Sequence, residues 1–372
     1  MRKSLASVAL MATAAMLPGT FSAAAKPLLQ PGTAKPVFVV GPRHNIPAYH
    51  TPSSNLPQWN GSFTDLKGNN VNFTQIGGNP STTNTTSTIT VLIIPIKMIY
   101  GSGNGNMTFD PNKTIVFRNR SVTKNFAKSP LFGTPGKLID YNQGGTDLGN
   151  TQYIDAFQRG TWWGNDVSVN TSYHTIYQTK IEPEQSITVT PSQGKVEPNP
   201  VSGNTGTIGT MDINAFDSAL QTFMRNISDV NPGVLPLFIT YDIYLTSGGG
   251  CCIGGYHGAN GGQPGGQTYS YATYEDKGNF SQDASAFSHE LGEWEDDPFT
   301  DNFVHCNDNS LMEVGDPLER MANYGAFPYK LHGFKYNLQS LVFMPYFGAP
   351  RTDSVNQWLA FQNDESNVCP GQ

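Results

Sequence analysis

Positive charge is scarce in this 372-residue sequence: 22 Lys and Arg stand against 29 Asp and Glu, a net charge of −7. An acidic chain is repelled by phosphate backbones, which excludes nucleic acid as a partner class. Charge of either sign is low, at 14% of residues, while Gly, Asn, Thr and Ser abound. That balance is ordinary for a loop-rich, β-containing extracellular protein. Cysteine is rare as well, with four residues: Cys251, Cys252, Cys306 and Cys369. They lack paired C-x-x-C spacing, which argues against a zinc–thiolate site. No repeat of fixed period runs along the chain. Beyond residue 17 no apolar run is long enough to cross a bilayer as a helix, so no membrane association is expected for the mature chain.

What is present begins with an export signal. Arg2 and Lys3 give a positive start, Leu5 to Leu17 is apolar, and Ala23-Ala24-Ala25 has the small-residue form that a signal peptidase accepts. Residues 1–25 are therefore read as a signal peptide, and the mature protein as secreted, extracellular or periplasmic. Without Arg2 and Lys3 the balance becomes 20 against 29, a net charge of −9. In an oxidising compartment four cysteines suggest two disulfides. Direct bonding of the neighbours Cys251 and Cys252 closes a small strained ring, so each is expected to pair elsewhere.

Residues 26–87 are rich in Pro, Asn, Thr and Gly and read as a loosely structured N-terminal extension with one short strand, Pro36 to Val40. The rest, 88–372, reads as the working domain. Thr88 to Ile96 has the short, apolar, β-branched look of a buried strand. A helix is expected over Asp212 to Ile227, with Asp212 as cap and Ile213, Phe216, Leu220 and Phe223 on one face. Val234 to Leu245 reads as one strand, Ser247 to Gln267 as a glycine-crowded loop, and Thr268 to Glu275 as a strand. A further helix is expected from Asp283, its natural N-cap, to about Glu295, where Pro298 stops it.

That last helix carries Ser288-His289-Glu290-Leu291-Gly292-Glu293. His289 and Glu293 are four apart and stand on one face, where an imidazole nitrogen and a carboxylate oxygen can hold one divalent cation. Glu290, beside the first ligand, can take the proton of a metal-activated water and act as general base. The pattern is that of the H-E-x-x-H zinc helix with Glu293 in place of the second histidine. A third ligand is needed. Asp316 is preferred, followed by Glu313, from the segment Met312-Glu313-Val314-Gly315-Asp316. Asp297 is assigned to local turn bonding. The acidic run Glu293 to Asp297 also allows a calcium site or a solvated patch. His257, in the glycine-crowded loop, is a candidate oxyanion donor or a further ligand. Thr268 to Glu275 is a candidate edge strand for pairing with substrate.

"SHELGEWEDDP" with "MEVGDPLE" resembles a family of secreted bacterial proteins that carry SHExxExxxDP followed by E-[IV]-G-D and are regarded as zincin-like metallopeptidases. "CCIGGYHGA", "YSYATYED" and "MPYFGAPRTDSVNQW" extend the likeness over roughly Val91 to Trp358. A more distant similarity is to plant phosphate-induced, EXORDIUM-like cell-wall proteins, which lack the H-E-x-x-E residues. The resemblance implies an α+β, zincin-like twisted mixed sheet with an active-site helix and a β-rich N-terminal extension. It implies His289 and Glu293 as ligands, Glu290 as base, and about one zinc per chain. The function expected is a zinc-dependent peptidase acting on extracellular protein or peptide. The alternative is a non-catalytic protein that binds cell-wall glycan and holds a structural metal or calcium. This chain departs from the usual family pattern in that Pro317 and Leu318, not Cys, follow Asp316.

Overall fold

A computed structural model of the chain describes residues 37–339, apart from 66, 83–85, 134–138, 144–145, 202–205, 263–264, 277–280, 305–309, 314 and 317–325. Residues 1–25, expected to be a signal peptide, and Cys306 and Cys369 lie outside the described residues.

The backbone is organised on a 12-stranded mixed sheet. Its main path runs β6 (His174–Ile181), β5 (Thr86–Tyr100), β9 (Val234–Tyr241), β12 (Gln267–Tyr274), β11 (Gly250–Asn260), β10 (Ile243–Ser247), β8 (Thr207–Asp212), β7 (Val196–Pro198). The first four strands pair in parallel, and β11 runs antiparallel to both β12 and β10. Two short N-terminal strands, β1 (Val37–Phe38) and β2 (Arg43–His44), lie parallel along β11. A separate hairpin joins β3 (Gln58–Thr64) to β4 (Asn70–Ile76). The last strand used below is β13 (Phe334–Gln339).

The apolar run in β5 is explained by burial on both faces. Ile89, Val91 and Ile93 enter one core with Phe157, Phe287, Leu291 and Trp294. Leu92, Ile94 and Ile96 enter a second core with Phe216, Leu220 and Met224. A strand covered on both sides has no polar face to alternate with. Helix α1 (Tyr153–Thr161) supplies Phe157 to the first core. Helix α2 (Ile213–Asn226) supplies the second, capped by Asp212, whose Oδ1 accepts from Ala215 N at 3.0 Å. Its buried row ends at Met224, one position beyond the expected Phe223, which is only part-buried. Helix α3 (Ser285–Asp296) packs against α1, β4, β11, β12 and β13, and every one of its residues is buried.

The expected α+β, zincin-like architecture is overturned. The structure is mostly strand, 44% against 17% helix, around a nearly closed mixed sheet. Segments that read as loops from sequence form much of that difference. The glycine-crowded stretch is largely strand β11, because its glycines accommodate close neighbours in place of turns. Val234 to Leu245 is two strands, separated at Asp242, whose φ is +50°. The strand at 268–275 is interior, paired on both sides by β9 and β11, so it offers no free edge. Cys251 and Cys252 are bonded to each other across a cis peptide, against the expectation that each would pair elsewhere. Asp283 does not cap α3. Its carboxylate instead accepts from Asn337 N at 2.7 Å and Nδ2 at 2.6 Å, tying β13 to the start of the helix. Among the described residues, no helix is long and apolar enough to cross a membrane.

Candidate metal centre

Helix α3 splits its surface by position. Phe287, Leu291 and Trp294 recur at intervals of four and three and enter the apolar core. His289, Glu290 and Glu293 lie between them and meet β11, Glu313 and Asp316. Gly292 has no side chain because the Phe157 ring occupies its place, 2.8 Å from where a Cβ would stand.

His289 Nε2 stands 2.8 Å from Glu293 Oε1 and 3.3 Å from Asp316 Oδ1. The other ring nitrogen, Nδ1, donates to Gln339 Oε1 on β13. Gln339 is itself held by its backbone N–H, which donates to Ser288 Oγ at 2.7 Å. With Nδ1 committed to an acceptor, Nε2 is the ring nitrogen left to face the two carboxylates, the arrangement in which metal-binding histidines are oriented from behind. Gly315 lets its backbone press against the ring, its Cβ position lying 3.1 Å from the imidazole. Phe38 of β1 stacks on the same ring, centroids 3.7 Å apart.

On the far side of Glu293 lies His257 of β11. Its Nδ1 is 3.8 Å from Glu290 Oε2, 4.0 Å from Glu293 Oε2 and 4.0 Å from Glu313 Oε2. Its Nε2 donates to the Asp297 carbonyl at 3.0 Å, at the C-terminal end of α3. Glu290 fits here because residue 255 is glycine; a Cβ there would stand 2.6 Å from Glu290 Oε1. Two buried groups could thus hold a metal ion: His289 with Glu293 and Asp316, and His257 with Glu290 and Glu293. All these side chains are buried except Asp316, which is 24% exposed.

Burial dominates the electrostatics. It holds the His257 pKa down at about 4, so the imidazole is neutral near pH 7. Glu313 is pushed well above the usual carboxylate range, first by burial and then by repulsion from Glu293, Asp316 and Asp297. A cation among these groups removes the cause of that repulsion.

The sequence candidates sort as follows. His289, Glu290, Glu293, Glu313, Asp316 and His257 come together in one cluster. With Nε2 already donating to Asp297, His257 faces the cluster as a lone pair, which suits a ligand better than an oxyanion donor. The acidic run is neither a solvated patch nor one joint site. Glu295 accepts from Tyr177 and Asp296 from Trp162, while Asp297 Oδ1 accepts from Asp301 N and Asn302 N at 2.8 and 2.9 Å. A surface groove lined by Asn60, Ser62, Asn72 and Asp301 contains none of the cluster residues.

Gln339 and Phe38 were not singled out by sequence reasoning. Both are ordinary residues far from the motif in sequence, and only tertiary structure brings them to His289. For a divalent cation such as zinc held at His289, Gln339→Ala should weaken binding about 10–100-fold by freeing the imidazole to turn. A competition titration against a zinc-chelating dye measures this, and unchanged affinity would reject the orienting role. Comparison of the chain with protein-family models, with curated proteins and with solved structures found no match.

Proposed function

We propose that this chain is an exported zinc-dependent hydrolase of peptide bonds, with its metal held by His289, Glu293 and Asp316. The observation that carries this reading is the arrangement on α3. Two ligands stand a turn apart with their nitrogen and oxygen 2.8 Å from each other, and a third carboxylate lies 3.3 Å away. Three protein ligands leave a coordination position for water, as a hydrolytic centre requires. The donor set of one imidazole and two carboxylates suits zinc. A bound zinc lowers the pKa of a coordinated water towards neutrality and polarises the substrate carbonyl. Glu290, on the next helical position after His289, would accept a proton from the attacking water and return it to the leaving amine. Gln339 and Phe38 hold the His289 ring in place while this happens.

A second reading is favoured by a separate observation. The cluster is enclosed, with Phe38 over His289 and only Asp316 partly exposed. A non-catalytic wall-binding protein with a structural metal would have such a site.

One experiment separates the two. Purified chain is loaded with zinc and assayed on a fluorescence-quenched denatured protein, before and after 1,10-phenanthroline. Hydrolysis that the chelator abolishes and zinc restores supports the hydrolase. Bound zinc with no hydrolysis, in both wild type and Phe38→Ala, selects the structural reading. Absence of bound zinc overturns the hydrolase, and absence of both zinc and calcium overturns the structural-metal reading as well.

A further inference from the structure

We propose that the cluster is a two-metal centre: a second divalent cation sits between His257 Nδ1, Glu290 Oε2 and Glu293 Oε2, and Glu293 bridges it to the first. This deepens the hydrolase reading and rests on it, since the first cation is that of His289, Glu293 and Asp316.

The two oxygens of Glu293 already face two different histidines. Oε1 lies 2.8 Å from His289 Nε2, and Oε2 lies 4.0 Å from His257 Nδ1. A carboxylate so placed is a bridging ligand in form. His257 supplies the second, independent observation. A carbonyl oxygen only accepts, so the bond to Asp297 O puts the hydrogen on Nε2 and leaves a lone pair at Nδ1. Among the described residues, Nδ1 has no hydrogen-bond partner, and the ring is wholly buried. That lone pair points at three carboxylates, Glu290, Glu293 and Glu313. Lone pairs facing one another in a dry interior repel, unless something positive lies between them.

The distances choose between a proton and a metal. Separations of 3.8, 4.0 and 4.0 Å are too long for hydrogen bonds. Two ligand atoms that each lie about 2.0–2.2 Å from one cation can be separated by at most about 4.4 Å. The His257 contacts fall inside that limit. Each histidine is also oriented from outside by an acceptor, Gln339 Oε1 for His289 and Asp297 O for His257. Orienting acceptors behind both rings are what two ligating histidines need. A bridged pair of cations stands about 3.5–4 Å apart, close enough for both to act on one substrate oxygen. Glu290 would give Oε2 to the second cation and keep Oε1, on the Gly255 side, for the proton.

The test counts metal. Full-length mature chain is equilibrated with excess zinc, freed of loose ion by gel filtration, and weighed by native mass spectrometry. Two zinc ions per chain are expected, falling to one in His257→Ala and to one in His289→Ala. One zinc in the wild type overturns the second site and leaves the hydrolase reading standing. No zinc overturns both. Two zinc ions that persist in His257→Ala place the extra ion elsewhere and also overturn the proposal. Because a variant can fail to fold, the wild type is also loaded with Mn²⁺ and examined by electron paramagnetic resonance. An exchange-coupled pair is expected, and only isolated Mn²⁺ signals would overturn the bridge.

Discussion

On the proposed hydrolase reading, Glu290→Gln is expected to lower hydrolysis by about 10²–10⁴-fold while leaving the proposed metal ligands His289, Glu293 and Asp316 in place. Glutamine matches glutamate in size, so it can occupy the space opened by Gly255 without disturbing β11. It cannot accept a proton from water, and proton transfer to a positioned base contributes about that factor. The metal ligands on α3 remain a turn apart, so zinc content measured beside activity distinguishes a lost base from a lost site. Unchanged hydrolysis with metal retained would reject Glu290 as the proton acceptor.

Trp294→Ala is expected to destabilise the fold by about 3–5 kcal/mol. Trp294 is among the largest wholly buried side chains, and it shares its core with Phe287, Leu291 and strand β5. Removing the indole leaves a cavity under a helix that has no exposed residue and cannot collapse outwards. Glu293 is its neighbour, so the same change should loosen the metal site. Urea unfolding followed by far-ultraviolet circular dichroism gives the stability. Trp294→Phe, which refills most of the space, should recover much of the loss. A cost below about 1 kcal/mol for the alanine variant would show that α3 is not anchored by this side chain.

Much of the cluster could be read in the sequence because it sits on one helix. The interval from His289 to Glu293 is a helical turn, and that geometry survives whatever surrounds it. The interior of β5 was legible for a similar reason: β-branched and apolar residues packed on both faces leave a continuous run. The overall architecture was not legible. β11 was hidden because six of its neighbouring positions, Gly248, Gly249, Gly250, Gly254, Gly255 and Gly258, carry the usual mark of a loop. Gly255 shows why that mark misled: its missing side chain makes room for Glu290, and the backbone there is an ordinary strand. The hairpin of β3 and β4 was masked in the same way by Asn, Thr and Gly. Gln339 and Phe38 left no local signal, since neither residue type nor spacing marks a partner of His289.

The Asp297 carbonyl that holds His257 belongs to the end of the helix bearing His289, Glu290 and Glu293. Opposite walls of the cluster are thus joined by a hydrogen bond from the His257 side chain to the backbone of α3's C-terminal end, and neither is complete until α3 has docked on β11. The remaining contributors, Phe38, Glu313, Asp316 and Gln339, arrive from other parts of the chain. A cation held by this cluster would meet its full set of ligands only in the folded molecule.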